Sequence, residues 1–185
     1  MEKKNILYIV IPCYNEEAVI RETAKQVAVK MQQLYEKELI SEKSKVLFVD
    51  DGSKDMTWPM IEALHAENPM YAGVKLSRNK GHQNALVAGL SVAVKYADMI
   101  VSMDADLQDD IGAIDGFVEK YYEGCEVVYG VRSARKTDTF FKKFTAQSFY
   151  KLMRAMGVDI VYDHADYRLC LLYTSDAADD RISVD

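Results

Sequence analysis

The chain has 185 residues, of which 49% are hydrophobic and 28% charged, so it can bury a core, and its length favours a single domain. The formal net charge of −6 disfavours non-specific binding to nucleic acid, because the phosphates would be repelled. The scattered cysteines Cys13, Cys125 and Cys170 have no metal-ligand or redox spacing, which favours a reducing, cytoplasmic setting. No stretch reaches the roughly 20 apolar residues of a transmembrane helix, and no signal peptide is predicted.

Apolar, β-branched runs alternate with helical patterns in the first 132 residues. Strands are predicted at 5–12, 45–53, 71–77, 99–108 and 125–132. Helices are predicted at 15–40, 56–69, 81–97 and 111–124. Asn15 is the candidate N-cap of the first helix, and Pro59 is tolerable in the first turn of the second. This alternation predicts an α/β fold, a mostly parallel sheet with helices on both faces.

The pattern changes after Arg132. Residues 136–158 carry aromatic residues and lysines at helical spacing and predict an amphipathic helix. That helix lies either on an anionic membrane surface or against the sheet with its lysines in water. Residues 159–169 are short and polar, and no strand is predicted there. The tail 170–185 has neither helical nor strand period, so we expect the domain to span 1–169 and the tail not to be native to it.

Polar residues follow each predicted strand at its carboxyl end. In sheets of this kind, ligands bind at the carboxyl ends of the strands. We therefore expect one rim of the sheet to bring together Tyr14–Glu16, Asp50–Ser53, Ser77–Asn79, Asp104–Asp106 and Arg132.

The segment MDADLQDD, which follows the fourth strand, contains four carboxylates. Asp104 and Asp106 are two residues apart, so in an extended segment both face the same way and can reach one Mg²⁺ or Mn²⁺ ion. Gln108 continues that spacing and can add a carbonyl oxygen. An acidic turn is the alternative for the first two acids. It is the favoured interpretation of Asp109 and Asp110, whose charges suit a helix N-terminus.

Two further motifs follow strands. In VDDGS, either Asp50 or Asp51 is interpreted as accepting hydrogen bonds from a ribose hydroxyl or a base N–H. For Ser53 and Asp55 the favoured interpretation is structural, with one or the other as the N-cap of the next helix. In IPCYNEE, Tyr14 can lie against a planar base, although the motif alone indicates only a strand–turn–helix junction. No glycine-rich phosphate loop is present, so nucleotide phosphates would need a counter-charge, which a metal ion on the acidic motif would supply.

The motifs IPCYNEE, VDDGSKDMT, LSRNKGHQNALVAGL and MDADLQDD, in this order and spacing, resemble those of the family 2 glycosyltransferases with the GT-A fold. The likeness covers residues 5–169. Within the family it is strongest to the branch of dolichol-phosphate mannose synthases and bactoprenol-phosphate glucosyltransferases. The resemblance implies inverting, metal-dependent transfer of a hexose from a nucleotide-diphospho-sugar, with a UDP-sugar favoured, to a polyprenyl phosphate at the inner face of the membrane. It also implies that the domain is cut short at its C-terminus.

The same resemblance implies roles for individual residues. The nucleotide-sugar would be bound by Pro12, Tyr14, Glu16, Val49, Asp51, Asp104, Ala105, Arg135 and Arg168. The metal ion, Mg²⁺ or Mn²⁺, would be held by Asp104, Asp106 and Gln108. The catalytic residues would be Arg132, near the phosphates, and Asp166, which matches a carboxylate proposed as the base. A phosphate acceptor with a pKa of about 6 is largely ionised already, so Asp166 either deprotonates or orients it.

Other interpretations remain open. A nucleotidyltransferase also uses carboxylates and a metal ion, but it would more naturally carry a basic, glycine-rich loop near its N-terminus. A truncated, non-catalytic nucleotide-binding domain is a second alternative, and a homo-oligomer is possible. His82 opens a helix beside a strand end, but surface or packing roles are favoured for it, as for His65 and His164.

Overall fold

The computed structural model describes residues 4–108, 110–125, 127–131 and 164–171, of which 129–131 and 164–171 are described by their backbone alone. Strands and helices alternate from the N-terminus, as predicted. In chain order they are β1 (Leu7–Cys13), α1 (Ile20–Glu36), β2 (Lys45–Asp50), α2 (Thr57–Glu67), β3 (Tyr71–Lys75), α3 (His82–Ala93), β4 (Met99–Ser102), α4 (Ala113–Tyr122), β5 (Val127–Val131) and β6 (His164–Leu171).

The strands form one sheet in the order β3-β2-β1-β4-β6-β5. β1 pairs in parallel with β2 and β4, and β2 pairs in parallel with β3. β6 is antiparallel to β4. The mostly parallel sheet is therefore confirmed, but β6 was not predicted. Its sequence HADYRLCL does carry apolar residues at every second position, namely Ala165, Tyr167, Leu169 and Leu171, but the expected domain end at 169 divides this pattern. Pairing with β4 supplies the backbone hydrogen bonds of the strand.

The described residues fall into two compact units. One runs to Val128 and resumes at Asp166, and the other lies between Tyr129 and Ala165. Most of the second unit, with the predicted helix at 136–158, lies outside the described residues. The expected boundary at 169 falls inside β6, because Cys170 and Leu171 pair with residues of β4.

Pro12 occupies the central strand, which continues one residue beyond the predicted end. The pairing of β1 with β4 runs only as far as Val10 and Ser102. The carbonyl of Val10 faces β4, since it accepts the N–H of Met103 at 3.1 Å. Two residues later, the backbone nitrogen of Pro12 faces the same side of β1 as the carbonyl of Val10, at a point where β4 has already ended. Its missing N–H therefore removes no ladder hydrogen bond.

Helices cover both faces of the sheet, as predicted. On one face, α3 packs on the sheet, and its residue Leu86 belongs to a buried cluster with Val10, Leu47, Val49 and Ile100 of the strands. Consecutive strand residues face opposite ways, so Phe48 lies on the other face, where its ring contacts Tyr71. The Tyr71 hydroxyl donates to the carbonyl of Ala24 in α1 at 3.0 Å. Among the described helices, none has the length and apolar character needed to span a membrane.

Candidate active site

A pocket of about 420 Å³ opens at the carboxyl ends of the parallel strands. Its walls come from the loops after β1, β2, β3 and β4 and from the first turn of α3. They consist of Pro12, Cys13, Tyr14, Glu16, Asp51, Asn79, Gly81, His82, Ala85, Asp104, Ala105 and Asp106. The predicted convergence of strand ends is confirmed for these four strands. Arg132, predicted on the same rim, lies outside the described residues.

Hydrogen bonds between backbone and side chains join the loop after β1 to the loop after β2. Asn15 donates its backbone N–H to Ser53 Oγ at 2.9 Å, and its side-chain oxygen accepts the N–H of Lys54 at 2.9 Å. Glu16 donates its N–H to Thr57 Oγ1 at 2.8 Å. These bonds fix the backbone that carries Tyr14 and Glu16 into the pocket.

The predicted helix caps in these loops are wrong. Asn15 has a φ of 56° and turns toward the neighbouring loop, and α1 begins five residues later, at Ile20. Ser53 accepts a hydrogen bond from the first loop instead of capping α2. Asp55 does bind the N–H of Thr57 at 3.0 Å, but the N-cap residue of α2 is Met56. Tertiary contact between the two loops provides partners that a single-helix argument cannot foresee.

Asp51 anchors the loop after β3. Its side chain is almost fully buried, and its two oxygens accept the backbone N–H groups of Lys80 at 2.7 Å and Gly81 at 2.8 Å. The next residue, Gly52, has a φ of 71°, and a Cβ there would lie 2.5 Å from the carbonyl carbon of Arg78. Only glycine allows this conformation and this close approach. The contact places Asn79 and His82, which flank the bonded amides, in the pocket wall.

Asp50 is placed differently from its neighbour. It is fully buried and lies outside the pocket lining. Its Oδ1 accepts the N–H of Ser53 at 3.1 Å, and its Oδ2 has no hydrogen-bond partner among the described residues. The structure thus brings Asp51, the preferred candidate, to the pocket and keeps Asp50 away from it.

Val49 does not reach the pocket, contrary to the role that the resemblance implied. Its side chain is fully buried on the face covered by α3, where its Cγ2 would lie 2.7 Å from a Cβ built on Gly89. Side chains alternate along β2, so this residue belongs to the core, and a ligand in the pocket cannot touch its side chain.

The acidic segment after β4 forms a turn. Asp104, Ala105 and Asp106 line the pocket. Asp106 Oδ1 accepts the N–H of Gln108 at 3.1 Å, and Leu107 has a φ of 57°. The backbone therefore reverses at Leu107, and Gln108 is exposed outside the pocket lining. The extended spacing that made Gln108 a candidate metal ligand does not exist.

Asp110 belongs to the start of α4, as predicted. Its Oδ1 accepts the N–H of Gly112 at 2.8 Å, and its carbonyl accepts the N–H of Ala113, the first residue of α4, at 2.9 Å. Its neighbour Asp109 lies outside the described residues.

The pocket is strongly acidic. The pKa of Glu16 is raised, first by burial and then by the negative charges of Asp106, Asp55 and Asp104. An anionic ligand such as a diphosphate would be repelled by these carboxylates unless a cation accompanied it. In the described part of the chain, no three His, Cys, Asp or Glu side chains are arranged to hold a metal ion by themselves. Two carboxylates with phosphate and water oxygens form a typical Mg²⁺ ligand set, so Asp104 and Asp106 fit such an ion.

His82 lines the pocket, while its side chain is 42% exposed, so the surface role favoured from the sequence stays a prediction. It is the first residue of α3, and its Nε2 lies 3.6 Å from Asp104 Oδ1. In the sequence, its place in the pocket is indicated by its position at a helix start directly after a strand-end loop.

The remaining predicted residues lie in or near β6. Arg168 pairs with Ser102, the last residue of β4. Since β6 is antiparallel, Asp166 lies two residues farther in the direction in which β4 runs, toward the edge of the sheet that carries the pocket. Their side chains, and both Arg132 and Arg135, lie outside what the structure describes.

Comparison with known proteins gives a consistent assignment. The sequence model of "Glycosyl transferase family 2" matches residues 8–173. An uncharacterised glycosyltransferase of Bacillus subtilis, YkoT, is 53% identical over 168 residues, covering 91% of this chain and 50% of the relative. A prophage bactoprenol glucosyl transferase homolog of Escherichia coli is 36% identical over 162 residues, covering 87% and 50%. The chain thus spans about half the length of the curated relatives it matches.

Solved structures agree on the fold. Glucosyl-3-phosphoglycerate synthase of Mycobacterium tuberculosis, crystallised with Mn²⁺, UDP and glucosyl-3-phosphoglycerate, superposes with a TM-score of 0.58 at 18% identity, covering 91% of this chain and 57% of that protein. The family match agrees with the strand order and with the position of the pocket at the strand ends. The chain belongs to glycosyl transferase family 2 and has the α/β GT-A fold of that family.

Proposed function

We propose that this chain binds a nucleotide-diphospho-sugar, with a UDP-sugar favoured, in the pocket at the strand ends and transfers its hexose to a polyprenyl phosphate. The observation that carries the proposal is the meeting of Asp51, Asp104 and Asp106 with Tyr14 in one pocket. Family membership supports sugar transfer, and the bactoprenol-named relative supports the lipid acceptor. The UDP complex of the structural neighbour supports the choice of donor.

The nucleoside would occupy the side of the pocket formed by β1 and β2. Tyr14 is partly exposed there, with a ring available for stacking on a base. The Asp51 carboxylate has already accepted two backbone N–H groups, but its oxygens have further lone pairs for a ribose hydroxyl or a base N–H. Pro12 would close the floor of this half of the pocket.

The diphosphate would lie toward Asp104 and Asp106. A bound Mg²⁺ or Mn²⁺ would neutralise charge on the leaving diphosphate. The two carboxylates would hold that ion, and the remaining acids of the pocket would keep an unaccompanied anion out. Gln108 is not part of this proposal because it is exposed and does not line the pocket.

The transfer itself is a single displacement. An acceptor phosphate oxygen forms a bond to the anomeric carbon, and the bond from that carbon to the diphosphate oxygen breaks with its electron pair. The nucleoside diphosphate leaves, and the anomeric centre is inverted. An ionised phosphate acceptor needs no proton removed, so we assign Asp166 the role of orienting the acceptor, with Arg132, Arg135 and Arg168 near the phosphates.

Calorimetric titration tests the donor half of the proposal. UDP, UDP-glucose and GDP-mannose are titrated into the protein with Mn²⁺ and with EDTA. We expect UDP and UDP-glucose to bind in Mn²⁺ and to lose binding in EDTA. Absence of metal-dependent nucleotide binding would refute the proposal.

A transfer assay tests the acceptor half. UDP-[¹⁴C]glucose is incubated with a short-chain polyprenyl phosphate and Mn²⁺, and lipid-linked sugar is counted after extraction. Incorporation supports the transferase. Metal-dependent binding without incorporation for any donor would instead favour a domain that binds nucleotide without catalysing transfer. This second candidate is considered because the chain matches only about half the length of its relatives.

A further inference from the structure

Thr23 lies in the first turns of α1, outside every motif singled out in the sequence. Its side chain is fully buried. Its Oγ1 lies 2.6 Å from the carbonyl oxygen of Ala105 and 3.1 Å from that of Val19, four residues earlier in the same helix. A hydroxyl has one proton to donate, and the shorter distance assigns it to Ala105.

Ala105 stands between the two carboxylates that face the pocket. It is almost fully buried, and Asp104 and Asp106 flank it. The hydrogen bond from Thr23 therefore fixes the peptide between the two acids. It is a long-range constraint, because the two residues are 82 positions apart in sequence.

The rest of this segment is held from two other directions. On its amino side, Met103 donates its N–H to Val10 in β1 at 3.1 Å. On its carboxyl side, the turn is closed by the side chain of Asp106 on the N–H of Gln108. Between these points, the Thr23 hydroxyl donates a hydrogen bond that ties the acidic turn to α1.

We infer that Thr23 is a positioning residue that sets the separation and direction of Asp104 and Asp106. The identity of the ligand that binds to the two carboxylates is taken from the proposed function. Its physical basis is independent of any ligand. A buried carbonyl that loses its donor will move to find water or another partner, and here such a movement displaces both acids at once.

Matched variants separate the hydroxyl from its packing. T23V keeps the shape and removes the hydroxyl. T23S keeps the hydroxyl, and T23A lacks both hydroxyl and methyl, so the T23S and T23A pair still reports on the hydroxyl if the valine variant does not fold. The control is S44A, at the amino end of the sheet, which removes the acceptor of a buried bond from the N–H of Leu7 at 3.0 Å.

The first readout is amide hydrogen exchange of residues 104–108 in the metal-free protein, measured by mass spectrometry. We expect exchange at least about tenfold faster in T23V, and faster in T23A than in T23S, with S44A unchanged in this segment. Equal exchange in T23V and the wild type, or in T23A and T23S, would overturn the inference.

The second readout is Mn²⁺-dependent UDP affinity by calorimetry. We expect T23V to bind about tenfold more weakly and T23S to remain within about twofold of the wild type. S44A should keep wild-type affinity despite a comparable loss of melting temperature. Equal affinity of T23V and the wild type would overturn the inference. A wild type without UDP binding would refute the proposed function, while the exchange measurement would still decide the role of Thr23.

Discussion

Asp51 Oδ2 accepts the backbone N–H of Gly81 at 2.8 Å, which joins the end of β2 to the residue before α3. The other carboxylate oxygen accepts the backbone N–H of Lys80, so the side chain of Asp51 holds the loop after β3 in place. The same residue therefore shapes the pocket and lies in its wall. Because two roles meet in one side chain, a loss of ligand binding on mutation does not by itself demonstrate contact with the ligand.

Asp51→Asn should destabilise the fold as well as weaken UDP binding. An asparagine offers one oxygen for two N–H groups and places its own NH₂ against the second. We expect a loss of about 1–3 kcal/mol in the free energy of unfolding, measured by urea titration with the fluorescence of the single tryptophan, Trp58. Unchanged stability with lost binding would show that the two hydrogen bonds from the loop after β3 to Asp51 are dispensable for folding.

Asp50→Asn is the matched control, since this aspartate is also buried but has an oxygen with no partner among the described residues. Its Oδ1 can keep the bond from Ser53. We expect a change in unfolding free energy below about 1 kcal/mol. A larger loss than in the Asp51 variant would contradict the assignment of the two acids.

Asp106→Ala should remove Mn²⁺-dependent UDP binding, whereas Asp110→Ala should leave it intact. Asp106 lines the pocket, and Asp110 binds the N–H of Gly112 at the start of α4. We expect at least about a hundredfold weaker binding in the first variant, equivalent to roughly 3 kcal/mol, measured by calorimetry. Similar effects from the two alanines would remove the distinction between a ligand-binding acid and a helix-start acid.

Gly89→Ala should destabilise the contact between α3 and the sheet. A Cβ at this position would lie 2.5 Å from Val10 Cγ1 and 2.7 Å from Val49 Cγ2, so the helix or the two valine side chains must shift. We expect a cost of about 1–3 kcal/mol, seen as a lower melting temperature in calorimetric scans. Gly116→Ala in α4 is the control, because a Cβ there meets nothing within 4 Å. It should stabilise the protein by about 0.5–1 kcal/mol. Equal melting temperatures for the two variants would contradict the packing argument.

Asp115 links α4 to α1 through Lys30 and Lys37. The hydrogen bond from Lys30 lowers the pKa of this carboxyl most, against partial burial, and Lys37 adds to the lowering. The lowered pKa means that the folded protein binds this proton more weakly than the unfolded chain. The stabilisation is therefore present above the ordinary value of about 3.8 and is lost as the pH falls through the lowered folded value.

Asp115→Asn should accordingly lower the free energy of unfolding by about 1–2 kcal/mol at pH 7, with the gap to the wild type closing on strong acidification. Urea titrations from pH 7 to pH 2 measure this dependence. Lys30→Met should cost more than Lys37→Met, because the Lys30 side chain is 13% exposed and that of Lys37 is 59% exposed. A gap that is independent of pH would show that the charge of Asp115 is not the cause.

The parts of the site that sequence predicted share a simple geometry. Residues that directly follow a buried strand, such as Tyr14, Asp51 and Asp104, reach the pocket because parallel strands end at one edge of the sheet. The predictions that failed depended on extending local geometry. Gln108 was placed by assuming that the strand continues, and Asn15 by assuming that the helix starts at once, yet each lies in or beside a left-handed turn.

Hydrophobic periodicity by itself determined the alternation of strands and helices, the parallel sheet and the edge at which acids collect, because burial of apolar side chains is a local pattern that repeats along the chain. Tertiary structure alone decided which of two adjacent aspartates turns to the pocket, that His82 joins Asp104, and that Thr23 holds the peptide between two acids. Each of these depends on a hydrogen bond or close approach between residues far apart in sequence, and only the packed sheet brings their partners within reach.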